Sequence, residues 1–282
     1  MGQKDLSEKL LEDYSDVFAD IVNVLLFHGN NTVKEEDLID SGTKSQYKAD
    51  DTRLHEQERD IMKIWKKQNV SFAVIGLENQ TAVDNDMPLR IIGYDGASYR
   101  AQMLRNGNER YPVITLVLYF GDSPWSGPRS LFECFSIPDE LKGYVNDYRI
   151  HIVDIPSLSE EQVAAFKSDF RIIADYFRQI RNNNGIYIPS RQEFRHTDAV
   201  LKFFGVFTSD QRFIETAQSK KEVRNMCDVL DRAEEQGIKK GREQERECLI
   251  RNALANLTIE QTAQLLKLPI AEVQKVAKKN TL

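Results

Sequence analysis

Two carboxylates and an amide flank an otherwise apolar and basic run between Arg59 and Gln80, RDIMKIWKKQNVSFAVIGLENQ. In SFAVIGLENQ, strand alternation puts Phe72, Val74, Gly76, Glu78 and Gln80 on one face and Ala73, Ile75 and Leu77 on the other. Glu78 and Gln80 therefore point the same way, off the end of an apolar strand. If RDIMKIW is the preceding strand, a loop of about five residues from Lys67 sets Asp60 opposite Glu78. Directly opposed side chains have Cβ atoms only ~5 Å apart. Carboxylates that close repel each other unless one is protonated or a cation lies between them. A hard divalent cation such as Mg²⁺, with Mn²⁺ as a substitute, takes such an oxygen site, completed by a backbone carbonyl and water. The same residues admit a plainer reading. ERDIMKIWKK also fits an amphipathic helix, with Ile61, Ile64 and Trp65 at i, i+3 and i+4. Asp60 is then a surface charge, and Glu78 and Gln80 are solvated residues at a strand end.

The flanking elements decide what can hold such a site. YSDVFADIVNVLLFHGNN reads as an amphipathic helix that ends at Gly29 and two asparagines. Residues 40–58 are strongly polar, a loop or an exposed strand. MPLRIIGYDGASYRAQMLRNG begins at a proline and stops at Asn106-Gly107, which predicts a helix despite its internal glycines. YPVITLVLYFG is apolar on both faces, the pattern of a central strand covered on both sides, and YRIHIVDI is another strand. LSEEQVAAFKSDFRIIADYFRQIRNNNG predicts one helix, opened by a capping box at Ser159 and Gln162. Strands alternating with helices indicate a mixed α/β domain over residues 1–219. From about Lys220 the chain turns helical and charge-laced, giving a tail over 220–282. That tail ends in TIEQTAQLLKLPIAEVQKVAKK, two short helices broken near Leu268-Pro269.

Bulk properties narrow the function classes. The chain has 282 residues, 41% hydrophobic and 29% charged, with a net charge of −6. A globally basic nucleic-acid binder is not indicated, so DNA contact requires a local basic patch. Arg53, Arg59, Lys63, Lys66, Lys67, Arg90, Arg100 and Arg105 cluster in sequence around the acidic residues and are the candidates. Cys134, Cys227 and Cys248 are odd in number and far apart, which argues against a disulfide framework or a zinc site. The four histidines are equally scattered. No apolar run is long enough to span a membrane, and MGQKDLSEKL has no signal-peptide core, so a cytoplasmic location is expected.

The run GLENQTAVDNDMPLRIIGYDGASYRAQ, with ERDIMKIWKK before it and PVITLVLYFG after it, resembles the Rpn family of recombination-promoting nucleases and transposase-like proteins. That family lies within the PD-(D/E)XK nuclease superfamily. YSDVFADIVNVLLFHGNNTVKEEDL and the GIKKGREQERE tail match the pattern too. The resemblance implies a restriction-endonuclease-like mixed sheet flanked by helices, with a helical C-terminal tail. Carried over residue by residue, it makes Asp60 the metal-binding aspartate and Glu78 the second acid, with the Asn79 carbonyl as a further ligand. Gln80 takes the position usually held by lysine, where it can orient a water but brings no charge to a phosphorane-like transition state. Arg59 stands where the superfamily motif has proline.

The function this implies is Mg²⁺-dependent endonucleolytic hydrolysis of DNA in recombination or mobile-element biology. The alternative is a catalytically weak DNA-binding or assembly module that keeps the fold. Asp16 or Asp20 on the first helix is a candidate outer carboxylate. Tyr94, Asp95 and Tyr99 either line the site or pack. The C-terminal helices resemble a helix-turn-helix, but the second carries few side chains suited to base edges. The expectation is a helical tail for association, a homo-oligomer included, or for autoregulation.

Overall fold

The computed structural model describes residues 11–41, 44–48, 54–58, 60–67, 70–104, 109–208, 211–218 and 223–279. In chain order the elements are α1 (Ser15–Phe27), β1 (Leu38–Asp40), β2 (Lys44–Lys48), β3 (Leu54–Glu58), β4 (Ile61–Lys67), β5 (Val70–Gln80) and α2 (Met87–Leu104). They continue with β6 (Val113–Tyr119), α3 (Leu131–Cys134), β7 (His151–Asp154), α4 (Glu160–Ala165), α5 (Phe170–Asn182), α6 (Thr197–Phe207) and α7 (Gln211–Gln218). The last three helices are α8 (Met226–Leu254), α9 (Ile259–Leu266) and α10 (Ile270–Lys279).

Five strands form one mixed sheet in the order β1-β4-β5-β6-β7. β4 runs antiparallel to β1 and β5, whereas β6 runs parallel to β5 and β7. β2 and β3 pair as a separate antiparallel ribbon. ERDIMKIWKK is thus a strand from Ile61 onward, which removes the helical alternative. Side-chain packing against β5 overrides its helical periodicity. The register pairs Ile61 with Leu77 and Lys63 with Ile75.

Residues paired across a ladder share a face. Glu78 pairs with Val117 and Gln80 with Tyr119, so both lie on the α2 side, where Met87, Ile91, Tyr94, Val117, Tyr119, Trp125 and Ile150 form a buried cluster. Asn79 pairs with Leu118 and faces the other way. On that second face Phe120 meets Phe170 and Phe177 of α5 and Phe203 and Phe207 of α6. β6 is buried along almost its whole length, as its apolar pattern requires.

Two expectations need correction. The single helix read over LSEEQVAAFKSDFRIIADYFRQIRNNNG is two, α4 and α5. Its capping box at Ser159 and Gln162 is present. Phe166, extended and fully buried, stops the first helix. Asp20 Oδ2 then accepts the N–H groups of Lys167 (2.8 Å) and Ser168 (2.7 Å), just before the second helix begins. The basic patch does not assemble in full, because two of its members are engaged elsewhere. Lys63 is only 1% exposed and its ammonium pairs with Asp40, with Asp13 3.7 Å away. Strand alternation turns it inward toward the Phe18 ring. Arg90 is engaged in ion pairs. Arg53, Arg59 and Arg105 lie outside the described residues.

The chain divides into two compact units, Met1–Asn225 and Met226–Leu282. In the second, Ile250 of α8 packs with Ala263 of α9 and Val273 and Val276 of α10. A capping box at Thr258 and Gln261 opens α9, and Lys267 in the left-handed region (φ 53°) closes it before Pro269. Among the described residues no helix is long and apolar enough to cross a membrane.

Candidate active site

The sequence-predicted residues come together at the C-terminal end of β5. Asp60 lies one residue before β4 and Glu78 one residue beyond the last pair of the β4–β5 ladder. Asp60 Oδ2 accepts the backbone N–H of Asn79 at 2.7 Å, which ties the aspartate across to the neighbouring strand. Gln80 Nε2 is 3.4 Å from Glu78 Oε1, as expected of two side chains on one face.

Glu78 is 2% exposed and forms an ion pair with Arg90, from the first turn of α2. The other terminal nitrogen of Arg90 donates to Asp84 Oδ2 at 2.9 Å, and Arg90 Nη2 also reaches the Tyr94 hydroxyl at 3.3 Å. The cation that answers the buried carboxylate in the folded chain is therefore a guanidinium. Burial works against the Arg90 charge, but Glu78, Tyr94 and Asp84 outweigh it and raise its pKa further above the ordinary arginine value. Burial also raises the pKa of the Tyr94 phenol, and the charges of Glu78 and Asp60 add to the rise. Both carboxylates are thus within electrostatic reach of one hydroxyl.

Glu12, just before α1, stands on the opposite face. It is fully buried, and its Oε2 accepts from Asn79 Nδ2 at 2.7 Å. Burial pushes its carboxyl up to about 8; the Asn79 hydrogen bond opposes that rise and the Asp60 charge adds to it. Glu12 is therefore mostly protonated at pH 7, so the buried carboxyl sheds its charge rather than leaving it desolvated.

Asp16 and Asp20 do not serve the site. Asp16 pairs with Arg195 (2.9 Å) and His196 (2.9 Å), and Asp20 caps the chain ahead of α5. Of the tyrosines and acid on α2, only Tyr94 touches the site. Asp95 accepts from the hydroxyls of Thr115 (2.6 Å) and Tyr148, and the Tyr99 oxygen accepts the Val113 N–H at 3.1 Å, so both are packing groups. A wide cleft of about 1610 Å³ is lined by Asp20, Arg171, Arg178 and their neighbours, and by none of Asp60, Glu78, Gln80 or Arg90.

Among the described residues no three carboxylate, imidazole or thiolate groups stand close enough to enclose an ion. Glu78 is turned to Arg90, and Glu12 lies across the sheet. Mg²⁺ does not require three, since it is commonly held by one or two carboxylates, water and substrate phosphate. Asp60 and Glu78 supply such a pair. The donor set fits.

Sequence reasoning missed three partners. Glu12 gave little signal, because the chain breaks between it and α1. Asp84 and Arg90 carried one: an acid and a base six apart, the base at the first turn of a helix that follows an acidic strand end. A family model described as "Putative transposase, YhgA-like" matches residues 51–195. No curated protein and no solved structure matches the chain.

Proposed function

We propose, from the premise that the chain belongs to the YhgA-like transposase family, that it is a metal-dependent endonuclease acting on DNA in the movement or recombination of genetic elements. The reading takes the mixed sheet and its flanking helices as a PD-(D/E)XK core. One observation supports it: Asp60, just ahead of β4 and bonded to the Asn79 N–H, stands at the same end of β5 as Glu78, with Gln80 beside Glu78.

Asp60, Glu78 and the Asn79 carbonyl would hold the cation, Mg²⁺ or Mn²⁺. When bound, such an ion activates water and neutralises charge on a phosphate. The chain's own groups do the rest. The Gln80 amide orients the attacking water by hydrogen bonding without adding charge. The Asn79 N–H fixes one Asp60 oxygen and so the orientation of the carboxylate. Tyr94, kept protonated by its surroundings, offers a neutral donor beside Glu78. Neutral Glu12 behind Asn79 spares the site a third negative charge.

A second reading, a DNA-binding or assembly module with weak catalysis, draws on the guanidinium already on Glu78 and on Gln80 in place of lysine. Supercoiled plasmid separates the two. Nicking with Mg²⁺ but not EDTA is expected, and Glu78→Ala or Asp60→Ala should abolish it while DNA affinity in EDTA stays within about threefold of the wild type. Undiminished nicking by either variant would refute the site.

A further inference from the structure

Arg90 divides its two terminal nitrogens between two different carboxylates, Glu78 and Asp84. Each contact is single, whereas guanidinium bonds most strongly when both nitrogens meet one carboxylate or phosphate side by side. The two ends of the pair also differ in access. Glu78 is almost fully buried, but Arg90 is 36% exposed. Solvent, or a polyanion arriving from it, reaches the guanidinium first.

The pair blocks its own use as a ligand. The guanidinium already answers the Glu78 charge through one of its oxygens, so a divalent cation entering at either oxygen meets a positive group in place. Buried as it is, Glu78 is costly to leave as an unpaired charge, so a departing guanidinium has to be replaced by another cation or by a proton. Arginine and metal ion therefore compete for the same carboxylate. What draws the guanidinium away has to be an anion that offers both nitrogens a better fork than two separate carboxylates do. A phosphodiester group of a nucleic-acid backbone has that geometry and no competing protein partner.

We propose that Arg90 is a substrate-operated latch: it covers Glu78 when no nucleic acid is bound, and a backbone phosphate takes the guanidinium and so opens Glu78 to the divalent cation. The inference rests on the nuclease reading above and adds regulation of the same site. Arg90 acts as a positioning residue, since it works through Glu78. Coupling of this kind is reciprocal: DNA raises the affinity for metal by the factor by which metal raises the affinity for DNA. The latch also keeps the site unloaded between substrates.

The test uses the full chain and Ca²⁺, measured by calorimetry without DNA, together with fluorescence anisotropy of a labelled DNA duplex with and without Ca²⁺. The Arg90→Gln variant is expected to bind Ca²⁺ about fivefold or more tightly than the wild type when DNA is absent, because its competitor is gone. It should also lose the enhancement of DNA affinity by Ca²⁺ that the wild type shows. Arg90→Lys keeps the charge but not the fork, and should fall between the two; it serves as well if Arg90→Gln does not fold. Equal or weaker Ca²⁺ binding in both variants, with binding still abolished by Glu78→Gln, overturns the latch and leaves the nuclease site standing. Ca²⁺ binding indifferent to Glu78→Gln and Asp60→Asn overturns both.

Discussion

Two helix arginines stand beside strands of the same sheet and are held in opposite ways. Beside β7, Arg181 of α5 is 12% exposed, and its terminal nitrogens donate to Asp154 (2.7 Å), Ser157 (2.9 Å) and the carbonyls of Gly121 and Ser123. Each acceptor is fixed by the loops it belongs to. Beside β5, Arg90 has carboxylates on two sides, each met by one nitrogen, and a face toward solvent. A charge that only holds structure is surrounded by acceptors it never leaves. A charge that must change partners keeps single contacts. The acids differ in the same sense, since Asp154 is permanently paired whereas Glu12 sheds its charge by holding a proton.

The largest effect should come from the saturated end. Arg181→Met strands Asp154 and two carbonyls, and should lower stability by about 3 to 5 kcal/mol. Arg90→Gln also strands a buried acid, Glu78, but the amide keeps a donor for it and solvent reaches the vacated space, so the loss in EDTA should be smaller, about 2 kcal/mol. Denaturant unfolding of both variants checks the ranking, and equal losses would erase the contrast drawn here.

Glu12 gives the next effect, and it depends on pH. Its folded pKa of about 8 lies above the ordinary 4.5, so the native state keeps a proton that the unfolded chain releases. Stability from this group is complete below pH 4.5 and falls as pH rises toward 8. Glu12→Gln should match the wild type near pH 4.5 and exceed it by on the order of 3 kcal/mol at pH 7 in EDTA. Parallel melting curves for the two proteins across that range would show Glu12 to be ionised in the fold.

The smallest effect probes the acidic pair. Asp60→Asn keeps an oxygen for the Asn79 N–H and removes one charge from beside Glu78 and Tyr94. It should stabilise the metal-free protein by about 0.5 to 1 kcal/mol. Millimolar Mg²⁺ should raise the melting temperature of the wild type and do little for the variant. A variant less stable than the wild type in EDTA would mean that the Asp60 charge is held by attraction rather than strained by repulsion.

Period-two alternation made the site legible where it depends on neighbouring strands. Glu78 and Gln80 share a face for that reason, and Ile61 opposite Leu77 brings Asp60 alongside. Central β6 was readable because burial on both sides leaves an unbroken apolar run. The break at Phe166 was not, since the residues of α4 and α5 keep helical periodicity and only Asp20, far away in sequence, caps the interruption. Lys63 was misread because alternation was not applied to β4. Having Asp60, Met62 and Ile64 on one face obliges Lys63 to point to the other. Glu12 was invisible for a different reason: its role depends on Asn79, sixty-seven positions later, and on burial that no local pattern encodes.

The acids and their cation reach the site by routes of different length. Asp60 and Glu78 belong to adjacent antiparallel strands separated only by Gln68 and Asn69, so their meeting needs a hairpin and little else. Arg90 comes on α2, the crossover that must pack before β6 can join β5 in parallel. Local hairpins form early in folding, and parallel pairing across a long connection comes late. A folding order in which the hairpin forms first would bring the two carboxylates together before their guanidinium. A divalent cation in the refolding buffer would then compete with Arg90 for them.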